Sequence, residues 1–217
     1  MHIDFGYGCY DGGVDENQFP HGKGKITYYK EGTTTPDGTV EAEFNHGVFA
    51  SAVTVDYLDG GIYVGQYDKD NGWRIGKGKM KYSDGGYYEG EWKDNLRHGK
   101  GTLVFDDGAK YVGEFKNDYM NGVGTYYYAN GNVYTGQIVN DYFNGKGKMT
   151  YAYGDVYEGD FVNDKLEGKG TLYIANGNKY VGEFRDGMAE GSGVLYNKEG
   201  KILFEGEWKA NNPVRKG

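Results

Sequence analysis

Cysteine occurs once in the 217 residues, as Cys9. A lone thiol excludes an intrachain disulfide, and a cytoplasmic setting is the default for such a chain. Basic excess is also missing. The net charge is −8 and the sequence pI about 5.1, so the electrostatic footprint that nucleic-acid binding requires is absent. The same charge disfavours an anionic membrane surface. No apolar run approaches the roughly 18 residues of a transmembrane helix. The opening Met1-His-Ile-Asp-Phe-Gly-Tyr7 has neither the basic start nor the apolar stretch of a signal peptide. Mean hydropathy is −0.78, low for a domain that buries two faces of its elements. It suits a sheet with only one face to bury.

Glycine and tyrosine are abundant instead, at 40 and 23 residues, and both are periodic. Tyr88, Tyr111, Tyr134, Tyr157 and Tyr180 follow one another at intervals of 23 residues. A fixed period of this size is the signature of a repeat architecture. The clearest copy runs Tyr111-Val-Gly-Glu-Phe-Lys-Asn-Asp-Tyr-Met-Asn-Gly-Val-Gly124. With the opening aromatic as position 0, positions 0, 2, 4 and 11, 13, 15, 17 hold aromatics and glycines. Val112, Glu114, Val123, Thr125 and Tyr127 fill the positions between. That is period-two alternation on both sides of an Asn117-Asp118 turn, a β-hairpin. Pairing position 4 with 11 sets position 3 opposite 12, which opposes Glu91 to Lys100, Asp160 to Lys169 and Glu207 to Lys216. The same register puts both glycines of each Gly-x-Gly on the aromatic face, with a ring expected over each. Asp107-Gly108, Asn130-Gly131 and Asn176-Gly177 predict tight turns between hairpins.

The pattern Y-x-G-E-[WF]-x-[ND]-x-x-x-x-G-x-G is closest at Tyr88-Glu-Gly-Glu-Trp92 to Gly99-Lys-Gly101, and at Tyr157-Glu-Gly-Asp-Phe161 to Gly168-Lys-Gly170. It resembles the MORN (membrane occupation and recognition nexus) repeat family over nearly the whole chain. The resemblance implies an all-β fold: an elongated, twisted, single-layer antiparallel sheet of about nine consecutive hairpins, or about 17–18 strands. Residues 1–9 read as an N-terminal cap or an extra strand. Residues 10–62 read as degenerate repeats with an exposed excursion at Lys30–Gly38. In the second of these repeats Ala42 replaces the first glycine, and Ser51 and Val53 replace the Gly-x-Gly pair. Residues 63–203 are repeats, and 204–217 a truncated last one whose exposed strand edge predicts self-association or a partner.

Chemistry is sparse. His21 and His98 fill the same repeat position and so stand apart, and no intrachain metal site is expected. Asp68–Gly72 has some calcium-loop character, but Lys79 stands where the bidentate glutamate belongs. The Gly-x-Gly pairs lack the third glycine and following helix of a dinucleotide site. Glu91, Glu114, Asp160 and Glu183 recur once per repeat opposite or near lysines, which weighs against a raised carboxylate pKa. No cofactor and no catalysis are expected. Tyr119-Met120 and Tyr142-Phe143 place aromatics and methionine where turns are usually polar, and Tyr127 adds an outward ring. They read either as interface anchors or as an extension of the local core. The candidate partner-binding residues are these five with Trp92, Tyr111, Phe115, Tyr134 and Phe161 of the aromatic face. The resemblance implies a scaffold for protein partners, with a cytoskeletal or ciliary assembly as the setting. The alternative is a peripheral membrane module reading phosphoinositide headgroups with Lys100, Lys146 and Lys169.

Overall fold

The structure is a computed structural model that describes residues 2–4, 8–29, 33–34, 36–50, 52–68 and 73–215, with side chains from Gly8 onward. It forms two compact bodies, one of residues up to Asp106 with Lys116–Asp118, the other of Asp107–Phe115 with the residues from Tyr119 on. The described residues form strands and turns and no helix. In the first body the strands are β1 (His2–Asp4), β2 (Gly8–Val14), β3 (Pro20–Tyr29), β4 (Pro36–Asn45), β5 (Val48–Phe49), β6 (Val53–Tyr57), β7 (Ile62–Asp68), β8 (Trp73–Lys81), β9 (Tyr87–Lys93) and β10 (Leu96–Val104). Each pairs antiparallel with its chain neighbour, except that β4 pairs with both β5 and β6. The second body holds β11 (Lys110–Lys116), β12 (Tyr119–Tyr127), β13 (Val133–Val139), β14 (Tyr142–Thr150), β15 (Val156–Val162), β16 (Lys165–Tyr173), β17 (Lys179–Arg185), β18 (Met188–Tyr196), β19 (Ile202–Lys209) and β20 (Asn212–Pro213). These also meander in chain order. The twenty strands among the described residues exceed the expected number because β1 precedes the first hairpin and the second strand of the second repeat is broken into β5 and β6.

Each regular hairpin turns on two residues with positive φ, for example Asp94 at 50° and Asn95 at 68°, or Asn140 at 49° and Asp141 at 70°. This is the type I′ geometry whose twist matches that of the flanking strands, and Asn and Asp tolerate it best. The second of these residues also ties its hairpin to the one before. Asp118 N–H donates to the Arg97 carbonyl at 3.0 Å and Asp118 Oδ1 accepts from Arg97 N–H at 2.8 Å. Asp141 does the same to Met120, and Asp164 to Phe143. The hairpin-to-hairpin turns use glycine at positive φ, as in Gly108 and Gly131. There the preceding Asp107 or Asn130 accepts the N–H two residues on.

The expected strand register holds at positions 0 to 2 and slips by two beyond them. Gly90 pairs with Gly101, but Glu91 pairs with His98, so Gly99 and Lys100 form a bulge. The same bulge leaves out Gly168 and Lys169 between β15 and β16. Glu91 therefore does not face Lys100 across the hairpin. Its Oε1 instead accepts the Lys100 backbone N–H at 3.1 Å, satisfying a donor that the bulge frees. Lysine and acid meet between hairpins instead: Lys77 pairs with Glu91, Lys169 with Glu183, and Lys146 reaches Asp160 at 2.6 Å. Lys216 lies outside the described residues.

The core is built on the position-0 tyrosines, which are fully or almost fully buried. Each ring lies flat across two paired glycines. A methyl built on Gly113 or Gly124 would stand 2.3 or 2.4 Å from the Tyr111 ring or hydroxyl, and Tyr63, Tyr88, Tyr134, Tyr157 and Tyr180 cover their own pairs in the same way. The hydroxyl then donates to the position-3 carbonyl, at 2.8 Å in Tyr88 and 2.7 Å in Tyr134. Only one glycine of each Gly-x-Gly is so covered. The other, such as Gly122 with φ +104, sits in the bulge against the Glu114 carboxylate. A ring over both is thus corrected: the bulge turns the first glycine away. Position-4 rings pack edge-on between successive tyrosines, as in Tyr134–Phe161 at 5.0 Å and Tyr157–Phe184 at 4.9 Å.

The second repeat supports this from the other side. Val40 stands at position 0, and there Ala42 and Val53 replace the two glycines. Valine cannot reach across them, so side chains are tolerated. The excursion expected at Lys30–Gly38 is shorter than read, because Pro36–Gly38 already belong to β4; residues 30–32 and 35 lie outside the described residues.

Candidate functional site

Seven of the ten aromatic and methionine candidates are core. Trp92, Tyr111, Phe115, Met120, Tyr134, Phe143 and Phe161 are all buried, so little or none of their surface is open to solvent. Position 9 faces inward, so Met120 and Phe143 fill the space beside the tyrosine lids; Phe143 stacks on Tyr134 with centroids 3.6 Å apart. Tyr119, Tyr142 and Tyr127 are exposed. Tyr127 carries the Lys110 ammonium 4.5 Å from its ring centroid, a cross-strand pairing that recurs between Lys179 and Tyr196.

Tyr119 and Tyr142 share position 8, just past the turn, on the face opposite Met120 and Phe143. Half their surface is open, at 52% and 53%. Equivalent positions on successive hairpins lie two strands, or about 10 Å, apart. Tyr142 pairs across its hairpin with Val139, and Val139, Val162 and Met188 are exposed at the same tips. The turn hydrogen bonds of Asp141 and Asp164 hold these tips to their neighbours. The surface is therefore a row of tyrosines and aliphatic side chains on a fixed frame, a composition enriched in protein interfaces.

A family model described as MORN repeat matches residues 17–33, 63–87, 88–110, 111–133, 134–156, 157–179, 180–201 and 204–217. The chain belongs to the MORN repeat family. No curated protein sequence matches it. Among solved structures, it is similar to the SAS-4 (dCPAP) TCP domain of Drosophila melanogaster in complex with a proline-rich motif of Ana2 (dSTIL). Identity is 13%, with 81% of this chain and 90% of that one covered, at a TM-score of 0.47. It is also similar to the TCP10 domain of Danio rerio CPAP in complex with a peptide of Danio rerio STIL, at 10% identity, 96% and 99% coverage and a TM-score of 0.33. Likeness at these scores assigns neither partner nor function to this MORN chain.

Two other sites come from the MORN geometry. In the first body Arg74 and Arg97 occupy position 9 and border a cleft of 430 Å³ with Tyr82, Trp92 and Asp118. Arg74 lies 4.3 Å over the Trp92 ring and donates to the Asn95 carbonyl at 3.0 Å. Arg97 donates to the Asp118 carbonyl at 2.6 Å. Both guanidiniums thus replace the apolar packing of Met120 and Phe143 while bonding the next turn.

The second is a cluster that spacing alone did not reveal. Asp15, His21 and His46 bring one ligand atom each to within 4.8 Å of the others. The Asp15 carboxylate is nearly covered, and desolvation works to raise its pKa. The N–H groups of Phe19 and Asn17, with His46, outweigh this and hold it below the ordinary value. The sequence reading compared His21 with His98 because they share a repeat position. The missed signal was His46 at position 6 of the following repeat.

Proposed function

We propose that this MORN chain is a non-catalytic scaffold that binds a protein partner through the exposed hairpin tips of its second body, in a cytoskeletal or ciliary assembly. The observation that carries the reading is the Tyr119–Tyr142 row, half exposed on a rigid frame, with Val139 and Val162 beside it. Rigid aromatic side chains give large contact area at low entropic cost. The recurring acids that a catalytic reading would use have structural work: Glu91 and the equivalent Gln137 cap bulges, and Asp160 pairs with Lys146. Membership of the family supports the scaffold reading without naming the partner. The membrane alternative would use Lys100, Lys146 and Lys169, of which Lys146 lies 2.6 Å from Asp160 and Lys169 stands opposite Glu183 on the next strand.

The test is affinity capture from native lysate with wild type and with a Tyr119→Ser/Tyr142→Ser variant. The proposal expects a partner retained by wild type and lost by the variant, with the β-sheet circular dichroism unchanged. Equal retention by both removes the tips from the interface. The proposal also includes self-association through residues 204–217, because among the described residues the last segment bonds only the Glu207–Lys209 end of β19, through β20 and the Val214 N–H on the Glu207 carbonyl. Light scattering on the same preparations would show a concentration-dependent dimer, or a monomer throughout if this part is wrong.

A further inference from the structure

We propose that Asp15, His21 and His46 form a binding site for a divalent transition metal, zinc being the ion whose chemistry they fit. Repeat geometry makes the site. Position 10 of one repeat meets position 6 of the next at several junctions of the second body: Asn121 Nδ2 donates to Asn140 Oδ1 at 2.9 Å, Asn144 Nδ2 to Asn163 Oδ1 at 3.3 Å, and Glu190 Oε2 accepts Ala210 N–H at 2.9 Å. The first junction is built alike, since Gly47 N–H donates to the Pro20 carbonyl at 2.9 Å. His21 follows Pro20 and His46 precedes Gly47, so the pair that is two amides at the Asn121–Asn140 and Asn144–Asn163 junctions is here two imidazoles. Their ring centroids are 5.4 Å apart.

The third ligand comes from the first hairpin's longer turn. Asp15 Oδ1 accepts the N–H of Asn17 at 2.9 Å and of Phe19 at 3.0 Å. Its Oδ2 is thereby aimed at His46 Nδ1, 2.5 Å away. Two imidazoles and one carboxylate, with the carboxylate fixed by backbone N–H groups, make up a three-ligand zinc site whose fourth position takes water. Nitrogen ligands disfavour calcium and magnesium. His21 and His46 are solvent-exposed, so small rotations bring their nitrogens to zinc-bond length of about 2.0–2.1 Å.

The test is calorimetric titration of the full chain with zinc sulfate near neutral pH, alongside cobalt(II) absorption as a spectroscopic report of tetrahedral ligation. We expect one zinc per chain. His21→Ala and His46→Ala should abolish it, and Asp15→Asn should weaken it at least about tenfold, each with unchanged circular dichroism. His98→Ala, at the same repeat position but outside the cluster, should bind as wild type does. Absence of binding at about 100 µM free zinc, or binding that survives both His21→Ala and His46→Ala, overturns the proposal and leaves an Asp15–His46 hydrogen bond.

Discussion

At the scale of the residue, tyrosine and glycine act as one device. The ring gains burial only because two facing positions carry no side chain, and its hydroxyl serves a carbonyl next to the bulge. Hence glycine, usually a weak choice in a strand, recurs on paired strands in Gly147–Gly159 and Gly170–Gly182. Gly124→Ala forces a methyl to 2.4 Å from the Tyr111 ring, and overpacking of this kind costs about 1–3 kcal/mol. Chemical denaturation should show a lower midpoint for Gly124→Ala, and an unchanged midpoint would mean that the ring moves aside freely. The pairing of ring with glycine was legible in the sequence, but which glycine was not. Gly122 and Gly124 look identical in the motif, and only the bulge separates their roles.

At the scale of the element, the hairpin was legible because its period and turn residues agree. The bulge was hidden by parity. It adds two residues, so inward and outward faces keep their alternation while cross-strand partners shift by two. Parity also places position 9 inward, so the burial of Met120 and Phe143 could have been read from the sequence; their neighbours in the turn drew attention to the tip instead. Between hairpins, the second turn residue supplies an acceptor to the preceding strand, as Asp141 does for Met120 N–H at 2.7 Å. Gly187 lacks that side chain, and an added Cβ there would meet nothing within 4 Å. Asp141→Ala should cost about 1–3 kcal/mol, the penalty for stripping a part-buried donor of its partner. Gly187→Asn should instead stabilise by up to about 1 kcal/mol. Urea midpoints measure both, and a Gly187→Asn midpoint below wild type would contradict the turn's linking role.

At the scale of the whole molecule, the repeated lids give the chain a collective response to alkali. Burial pushes the hydroxyls of Tyr111 and Tyr180 up to about 12, and those of Tyr63, Tyr88, Tyr134 and Tyr157 further still. An unfolded tyrosine ionises near 10. Below that pH both states hold the proton and stability is intact. Above it the unfolded chain loses protons that the folded chain keeps, so stability falls as pH climbs from about 10 towards 12. The phenolate absorbance of the buried lid tyrosines should therefore appear only together with loss of the β-type dichroism; ionisation of the lid tyrosines with the fold intact would mean the lids are open. The acidic balance and the absence of a basic footprint were legible from composition. The His21–His46 meeting was not, because it depends on how one repeat abuts the next.

The central claim is that a tyrosine and two glycines form the unit from which every regular repeat is made. The second repeat supplies its own control, with Val40, Ala42 and Val53 in their places. Denaturation midpoints of Tyr157→Val, Gly159→Ala, Gly170→Val and the triple Tyr157→Val/Gly159→Ala/Gly170→Val test the claim most directly. The account predicts that the triple variant is less destabilised than the sum of Tyr157→Val and the two glycine changes, since side chains are tolerated once the ring is gone. Strictly additive losses would contradict it.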